Sequence, residues 1–182
     1  VFSMQAGPGA ENAYAGVAQA FSDNVPLLLL PGGVATDRAR VRPEFDSVTN
    51  FAGVTKWGGQ INKIGRISEL MANAFYQLRT GRGGPVVVEI PFDIWKADIE
   101  DDLEYDTVTG NRSAPDPQDI RDIADALLKA EAPVIHAGQG VMYAEATDEL
   151  VELAELLQIP VLTTMVGKSG FPEDHPLALG AA

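Results

Sequence analysis

Val25-Pro26-Leu27-Leu28-Leu29-Leu30-Pro31 is the stretch on which the fold turns. Four consecutive leucines leave no polar face, so a strand built from them must be covered on both sides, as in a parallel sheet. Burying each leucine stabilises by about 1.5–3 kcal/mol, so an open face would be a large loss. Pro26 before the leucines and Pro31-Gly32-Gly33 after them mark the ends of the run.

Working outward, further strand-like runs alternate with helix-period stretches. Val1-Phe2-Ser3-Met4 reads as the middle of a strand, and Pro85–Ile90, Pro133–Ala137 and Ile159–Thr164 read as three more. Asn12–Ser22 carries Ala13, Val17, Ala20 and Phe21 near the helical period. Ile67–Arg79 aligns Ile67, Leu70, Met71, Ala74, Phe75 and Leu78, with Gly81 as its stop. Pro117–Ala130 starts with Asp116 as N-cap and Pro117 at the first helical position, and its stripe is Ile120, Ile123, Ala124, Leu127 and Leu128. Ala144–Leu157 is expected to turn Leu150, Leu153, Ala154 and Leu157 inward. This order predicts an α/β fold: parallel sheets flanked by helices, with right-handed crossovers.

Phe92–Pro117 has no sustained period and concentrates Asp and Glu before Pro115 and Pro117. It divides the chain into residues 1–98, an acidic linker over 99–115, and residues 116–182, two partial flavodoxin- or Rossmann-like domains. The second part offers only two strands and two helices, too few to finish a doubly wound sheet. The chain begins without Met, and together these features lead us to expect an internal piece of a larger protein.

Composition narrows the chemistry. The chain has 182 residues, 46% of them apolar, enough for a buried core. It has no cysteine, which excludes disulfides, thiolate metal sites and cysteine nucleophiles. No apolar run approaches the roughly 18 residues that span a bilayer, and a cytoplasmic location fits. Net charge is −13. Residues 1–98 balance nine basic against nine acidic side chains, whereas residues 99–182 hold four against seventeen. That excess opposes binding to nucleic acid or to anionic membranes, and reads first as a solvated surface.

Two glycine-rich turns could carry binding. Gly7-Pro8-Gly9 follows a strand and precedes a helix, where unpaired N–H groups can meet an anion; the alternative is a turn that simply needs glycine. It matches neither GxGxxG nor the Walker pattern. Gly138-Gln139-Gly140 also follows a strand, at the carboxyl edge where open α/β sheets bind nucleotides, with tight turning again the alternative. Of the two histidines, His136 is expected as a hydrogen-bonded core or rim residue and His175 as part of a rigid loop terminus, not a metal ligand. No serine sits in a nucleophile elbow.

Several ordered segments resemble the thiamine-diphosphate enzymes, acetolactate synthase-like members among them. They are Gly7-Pro8-Gly9-Ala10-Glu11-Asn12, Asp23–Leu27, Phe45-Asp46, Val54-Thr55-Lys56, Thr80–Val86 and Ile90-Pro91-Phe92-Asp93, then Pro133–Val141 and Gly167–Pro176. The resemblance implies the second half of a pyrimidine-binding domain followed by the first part of a central domain. It implies thiamine diphosphate and Mg2+ as cofactors of the parent, a 2-oxo acid as substrate, and a homodimer or homotetramer. It places Pro8, Gly9 and Asn12 against the cofactor's pyrimidine, and Phe45 and Asp46 on the substrate side. Where acetolactate synthases usually read Phe-Gln-Glu, this chain has Phe45-Asp46-Ser47, so Asp46 is either a substrate contact or a helix N-cap, and another 2-oxo acid or acyl acceptor is indicated. Relatives hold FAD, ADP or nothing in the central domain, which makes Gly138, Gly140, Thr163 and Gly167 candidates for a flavin or nucleotide. No catalytic residue is assignable: the family's activating glutamate is expected upstream of Val1, and its Gly-Asp-Gly metal motif does not occur here. The 182 residues alone are therefore expected to be inactive. The competing classes are a nucleotide-binding module and a non-catalytic structural module of a larger enzyme.

Overall fold

The leucine run lies inside a four-stranded parallel sheet. In the computed structural model, residues 1–99 and 104–182 are described; the centre of the expected acidic linker, 100–103, lies outside the described residues. The chain divides into two units, Val1–Ser113 and Ala114–Ala182.

In the first unit the strands are β1 (Phe2–Met4), β2 (Leu28–Gly33), β3 (Trp57–Gln60) and β4 (Val86–Pro91). They pair in the order β1-β2-β4-β3, all parallel. The helices are α1 (Pro8–Ser22), α2 (Ser47–Phe51), α3 (Ile67–Arg79) and the short α4 (Phe92–Trp95). The alternation of a strand explains the leucines. Leu29 and Val87 face α1 and α2 and pack with Ala10, Val17 and Phe51. Leu28, Val86 and Val88 face the other way and pack with Leu70 and Ala74 of α3. Both faces are covered, as four leucines in a row require.

Three details differ from expectation. β2 does not stop at Pro31 but continues through Gly32 and Gly33, because it has partners on both sides: Met4 pairs with Pro31, and Gly33 with Pro91. α1 starts at Pro8 and not Asn12, since a proline at the first position loses no helical hydrogen bond. β3, Trp57-Gly58-Gly59-Gln60, escapes a propensity reading because half of it is glycine. α3 has the expected bounds. Its end is held by Lys56, whose Nζ donates to the carbonyls of Gln77, at 2.5 Å, and Thr80. Residues 108–111 of the acidic stretch are tied to the same helix. Asn111 Nδ2 donates to Tyr76 Oη at 3.1 Å, and Arg79 donates to the Val108 carbonyl.

The second unit has a three-stranded parallel sheet, β5 (Ile135–Ala137), β6 (Val161–Thr163) and β7 (Ala178–Ala181), in that order. β7 was not expected: Ala-Leu-Gly-Ala has no β-branched residue to announce it. Its helices are α5 (Pro117–Lys129), α6 (Gly140–Tyr143) and α7 (Thr147–Leu157). Ala137, Ala154, Val161 and Phe171 form its core. α5 is capped as expected, with the Asp116 carboxylate accepting from Gln118 N at 2.7 Å and Pro117 following. Yet none of its residues is buried, and Ile123 and Leu128 are 60% and 71% exposed. α7 begins at Thr147 and not Ala144, because the left-handed Glu145 separates it from α6. Leu153 of α7 is exposed, contrary to expectation; Leu150, Val151 and Ala154 form the buried face, and Leu153 lies at its margin.

Candidate functional site

All four strands of the first unit run the same way, so the segments that follow them gather on one carboxyl edge. There the connections diverge: α1 and α2 go to one face of the sheet and α3 to the other. Such a switch point is where open α/β sheets receive ligands.

The turn after β1 is built from its glycines. Gly7 takes a left-handed φ of 62° and its carbonyl accepts from Glu11 N at 2.9 Å. A Cβ at Gly9 would lie 2.8 Å from Gln5 Cβ, so only glycine lets the chain fold this tightly. Ala10, one residue on, is fully buried. Pro8 and Asn12 lie four residues apart on one face of α1, and both are exposed. That face offers an apolar pyrrolidine ring and an amide with both donor and acceptor.

The segment ahead of α2 lies on the same edge. Asp46 is the N-cap of α2: its carboxylate accepts from Thr49 N at 3.0 Å and from Thr49 Oγ1 at 2.8 Å. Arg40 approaches it at 3.8 Å. Phe45 packs edge-on against Phe51 with centroids 6.4 Å apart, and Tyr14 of α1 stacks on Phe51 at 5.6 Å. An aromatic row thus joins the helix carrying Asn12 to the segment carrying Phe45 and Asp46. Nearby, the Asp93 carboxylate accepts from Thr36 N at 3.0 Å and Thr36 Oγ1 at 2.5 Å. These bonds hold its carboxyl below the usual aspartate value. Burial pushes the Lys56 amine down.

One residue of this edge was missed from sequence. Glu89, on β4, is 2% exposed and accepts from Ser47 N at 2.8 Å and Gln60 Nε2 at 2.6 Å. The signal was present: a charged residue inside Val86-Val87-Val88-Glu89-Ile90, a run that the sheet covers on both faces.

In the second unit the candidates separate. Gly138 and Gly140 follow β5, and a side chain at either would meet nothing within 4 Å. Neither has a left-handed φ, so neither is needed for the turn itself. Gly167 is the opposite case: a Cβ there would lie 2.8 Å from the Gly138 carbonyl carbon. Its smallness serves the packing of two loops at the ends of β5 and β6. Thr163 is buried, and its hydroxyl donates to the Gly180 carbonyl at 3.4 Å. Of the three candidate glycines, Gly138 and Gly140 have open space beside them. His136 is exposed, so it belongs to the rim and not the core. The His175 ring contacts Glu155 Oε1 at 3.2 Å, meets Phe171 edge-on and accepts from Leu177 N, as a loop anchor does. Among the described residues no group of His, Asp and Glu could hold a metal, and no helix is long and apolar enough to cross a membrane.

Fold and edge together define a parallel α/β protein of two units, each presenting a glycine turn at the carboxyl ends of its strands. The model of the thiamine pyrophosphate enzyme N-terminal TPP binding domain matches residues 1–53, and that of the thiamine pyrophosphate enzyme central domain matches residues 120–182. The chain belongs to the thiamine pyrophosphate enzyme family. It is 39% identical over 184 residues to a probable acetolactate synthase large subunit of Methanocaldococcus jannaschii, covering 96% of this chain and 31% of that one. It is 34% identical to glyoxylate carboligase of Escherichia coli O157:H7, covering 96% of this chain and 30% of that one. A solved structure from Mycobacterium smegmatis, assigned to the thiamin diphosphate-dependent enzymes, superposes with a TM-score of 0.85 at 27% identity, over 98% of this chain and 35% of its own. The chain thus spans about a third of the length of the relatives it matches.

Proposed function

We propose that this chain is part of a thiamine-diphosphate- and Mg2+-dependent carboligase or decarboxylase acting on 2-oxo acids. Residues 1–98 are its pyrimidine-binding part and residues 116–182 the first part of its central domain. The observation that carries this reading is the ordered pair of family matches together with the Gly7–Gly9 turn, which sets Pro8 and Asn12 side by side on an exposed face. When bound, the cofactor supplies stabilisation of the carbanion left when a 2-oxo acid loses CO2. The chain's own residues bind and orient. Pro8 and Asn12 form a wall for the pyrimidine, and Gly9 sets the turn that aims them. Phe45 and Asp46 border the substrate, with the Asp46 carboxylate committed to capping α2. Magnesium and the diphosphate are held by residues outside this sequence, which has no Gly-Asp-Gly. We place the parent in the cytoplasm as a homodimer or homotetramer, and expect the 182 residues alone to be inactive.

The test uses the parent protein with a panel of small 2-oxo acids. CO2 release that requires both thiamine diphosphate and Mg2+, with weaker cofactor binding in Asn12→Ala, is the expected result. No cofactor-dependent release, and no rise in melting temperature with thiamine diphosphate, would overturn it. A second reading rests on the open space at Gly138 and Gly140: FAD or ADP held at the end of β5. Flavin or adenine absorbance in the purified protein supports it, and a protein free of both removes it.

A further inference from the structure

Among the described residues, Glu89 is the only buried charged side chain. A carboxylate in a dry core is unfavourable unless hydrogen bonds replace its water. Two do: Ser47 N donates to Oε2 at 2.8 Å, and Gln60 Nε2 donates to Oε1 at 2.6 Å. Both partners are neutral, so charge neutralisation is not what they provide. Room for the carboxylate comes from Gly33 on β2, where a Cβ would lie 2.7 Å from Oε1. Glu89 on β4 therefore joins β2, β3 and the start of α2 at the switch point of the sheet.

The bond to Ser47 has a direction. Ser47 immediately follows Phe45-Asp46 and is 1% exposed, yet its hydroxyl has no hydrogen-bond partner. The tie from Ser47 to the sheet is therefore its amide and not its hydroxyl, beside the cap that Asp46 makes on Thr49. An aliphatic residue at 89 would suit the strand as well as its valine neighbours do, but it would leave that amide unpaired.

We propose that Glu89 is a positioning residue that fixes the Phe45–Ser47 turn on the carboxyl edge, and through it the substrate side of the site. This rests on the function proposed above and deepens it.

The experiment compares Glu89→Leu, Glu89→Gln and Glu89→Asp in the parent protein with thiamine diphosphate and Mg2+ present. Leucine removes both acceptors. Glutamine rescues: its carbonyl accepts from Ser47 N, and its amide pairs with Gln60 once that side chain flips. We expect Glu89→Leu to speed amide exchange over residues 44–51. It should raise KM for the 2-oxo acid roughly tenfold, the scale of one lost bond to an ionised acceptor, with a smaller change in kcat. Glu89→Gln should restore both. Where Glu89→Leu does not fold, Glu89→Asp withdraws the carboxylate by one methylene and should show the same pattern in smaller measure. Unchanged exchange in Glu89→Leu or Glu89→Asp overturns the proposal. Faster exchange with an unaltered KM also overturns it, leaving a purely structural bond. A wild-type protein without cofactor-dependent turnover strikes the function itself, and the exchange comparison then decides alone whether Glu89 pins the turn.

Discussion

Helices α3 and α5 are both 13 residues long and both carry an apolar stripe, yet one is a wall of its unit and the other is not. α3 buries Leu70 and Ala74 against Leu28, Val86 and Val88. α5 buries nothing, and Ile120, Ile123 and Leu128 are all more than half exposed. A helical stripe read from sequence is a demand for a partner, and only the fold shows whether that demand is met. The contrast extends to the sheets: β2 and β4 are covered on both faces, while the smaller sheet gathers its core around Ala137, Ala154, Val161 and Phe171.

The sharpest way to break this comparison is to truncate one residue on each side of it. Leu29 is fully buried between α1, α2 and the sheet. Leu29→Ala should cost about 2–5 kcal/mol in chemical denaturation. Ile123→Ala should cost no more than about 0.5 kcal/mol, as surface changes do. A comparable loss in the two variants would mean that the α5 stripe is covered in solution, and the contrast would fall.

The ends of the two helices differ as well. α3 is closed by a side chain from outside it, Lys56, which reaches the carbonyls of Gln77 and Thr80 near the negative end of the helix dipole. α5 is opened by its own neighbour, Asp116. Lys56→Met should therefore cost about 2 kcal/mol, since it removes a charged donor and leaves the two carbonyls without it. Asp116→Ala should cost about 1 kcal/mol. Equal losses, measured in the same denaturation series, would show that the tie from Lys56 adds nothing to an ordinary cap.

How much of this could be read beforehand follows the same physics. The leucine run, the bounds of α3 and the Asp116-Pro117 start of α5 were legible, because each rests on a local rule of period or capping. β3 and β7 were not, since Trp-Gly-Gly-Gln and Ala-Leu-Gly-Ala become strands only through the neighbours that pair with them. The Gly7–Gly9 turn was legible as a turn, and the crowding at Gly9 against Gln5 gives its reason. Glu89 escapes a sequence reading because one polar residue does not disturb a β-rich run of valines and isoleucine. Its meaning depends on Ser47 and Gln60, 42 and 29 residues away in the chain. Thr163 and Gly167 are candidates by position, and the structure adds that the Thr163 hydroxyl meets the Gly180 carbonyl and that Gly167 packs against Gly138.

The smallest expected effect concerns the loops after β2 and β4 in the first unit, which the Asp93 side chain ties together. Asp93 accepts two bonds from Thr36; the one from the Thr36 hydroxyl is the strongest influence on its carboxyl, which lies below the usual 3.8 although desolvation opposes the shift. The ionised form is thus favoured in the folded state. Its contribution is complete above 3.8 and is lost as pH falls through the lower folded value. Because the carboxylate faces water, global stability should scarcely move, and the signal should be local. The midpoint of the Thr36 amide shift should lie below 3.8, and Asp93→Asn should abolish that shift. A Thr36 amide that titrates at or above 3.8 would show that the tie between the β2 and β4 loops is not maintained in solution.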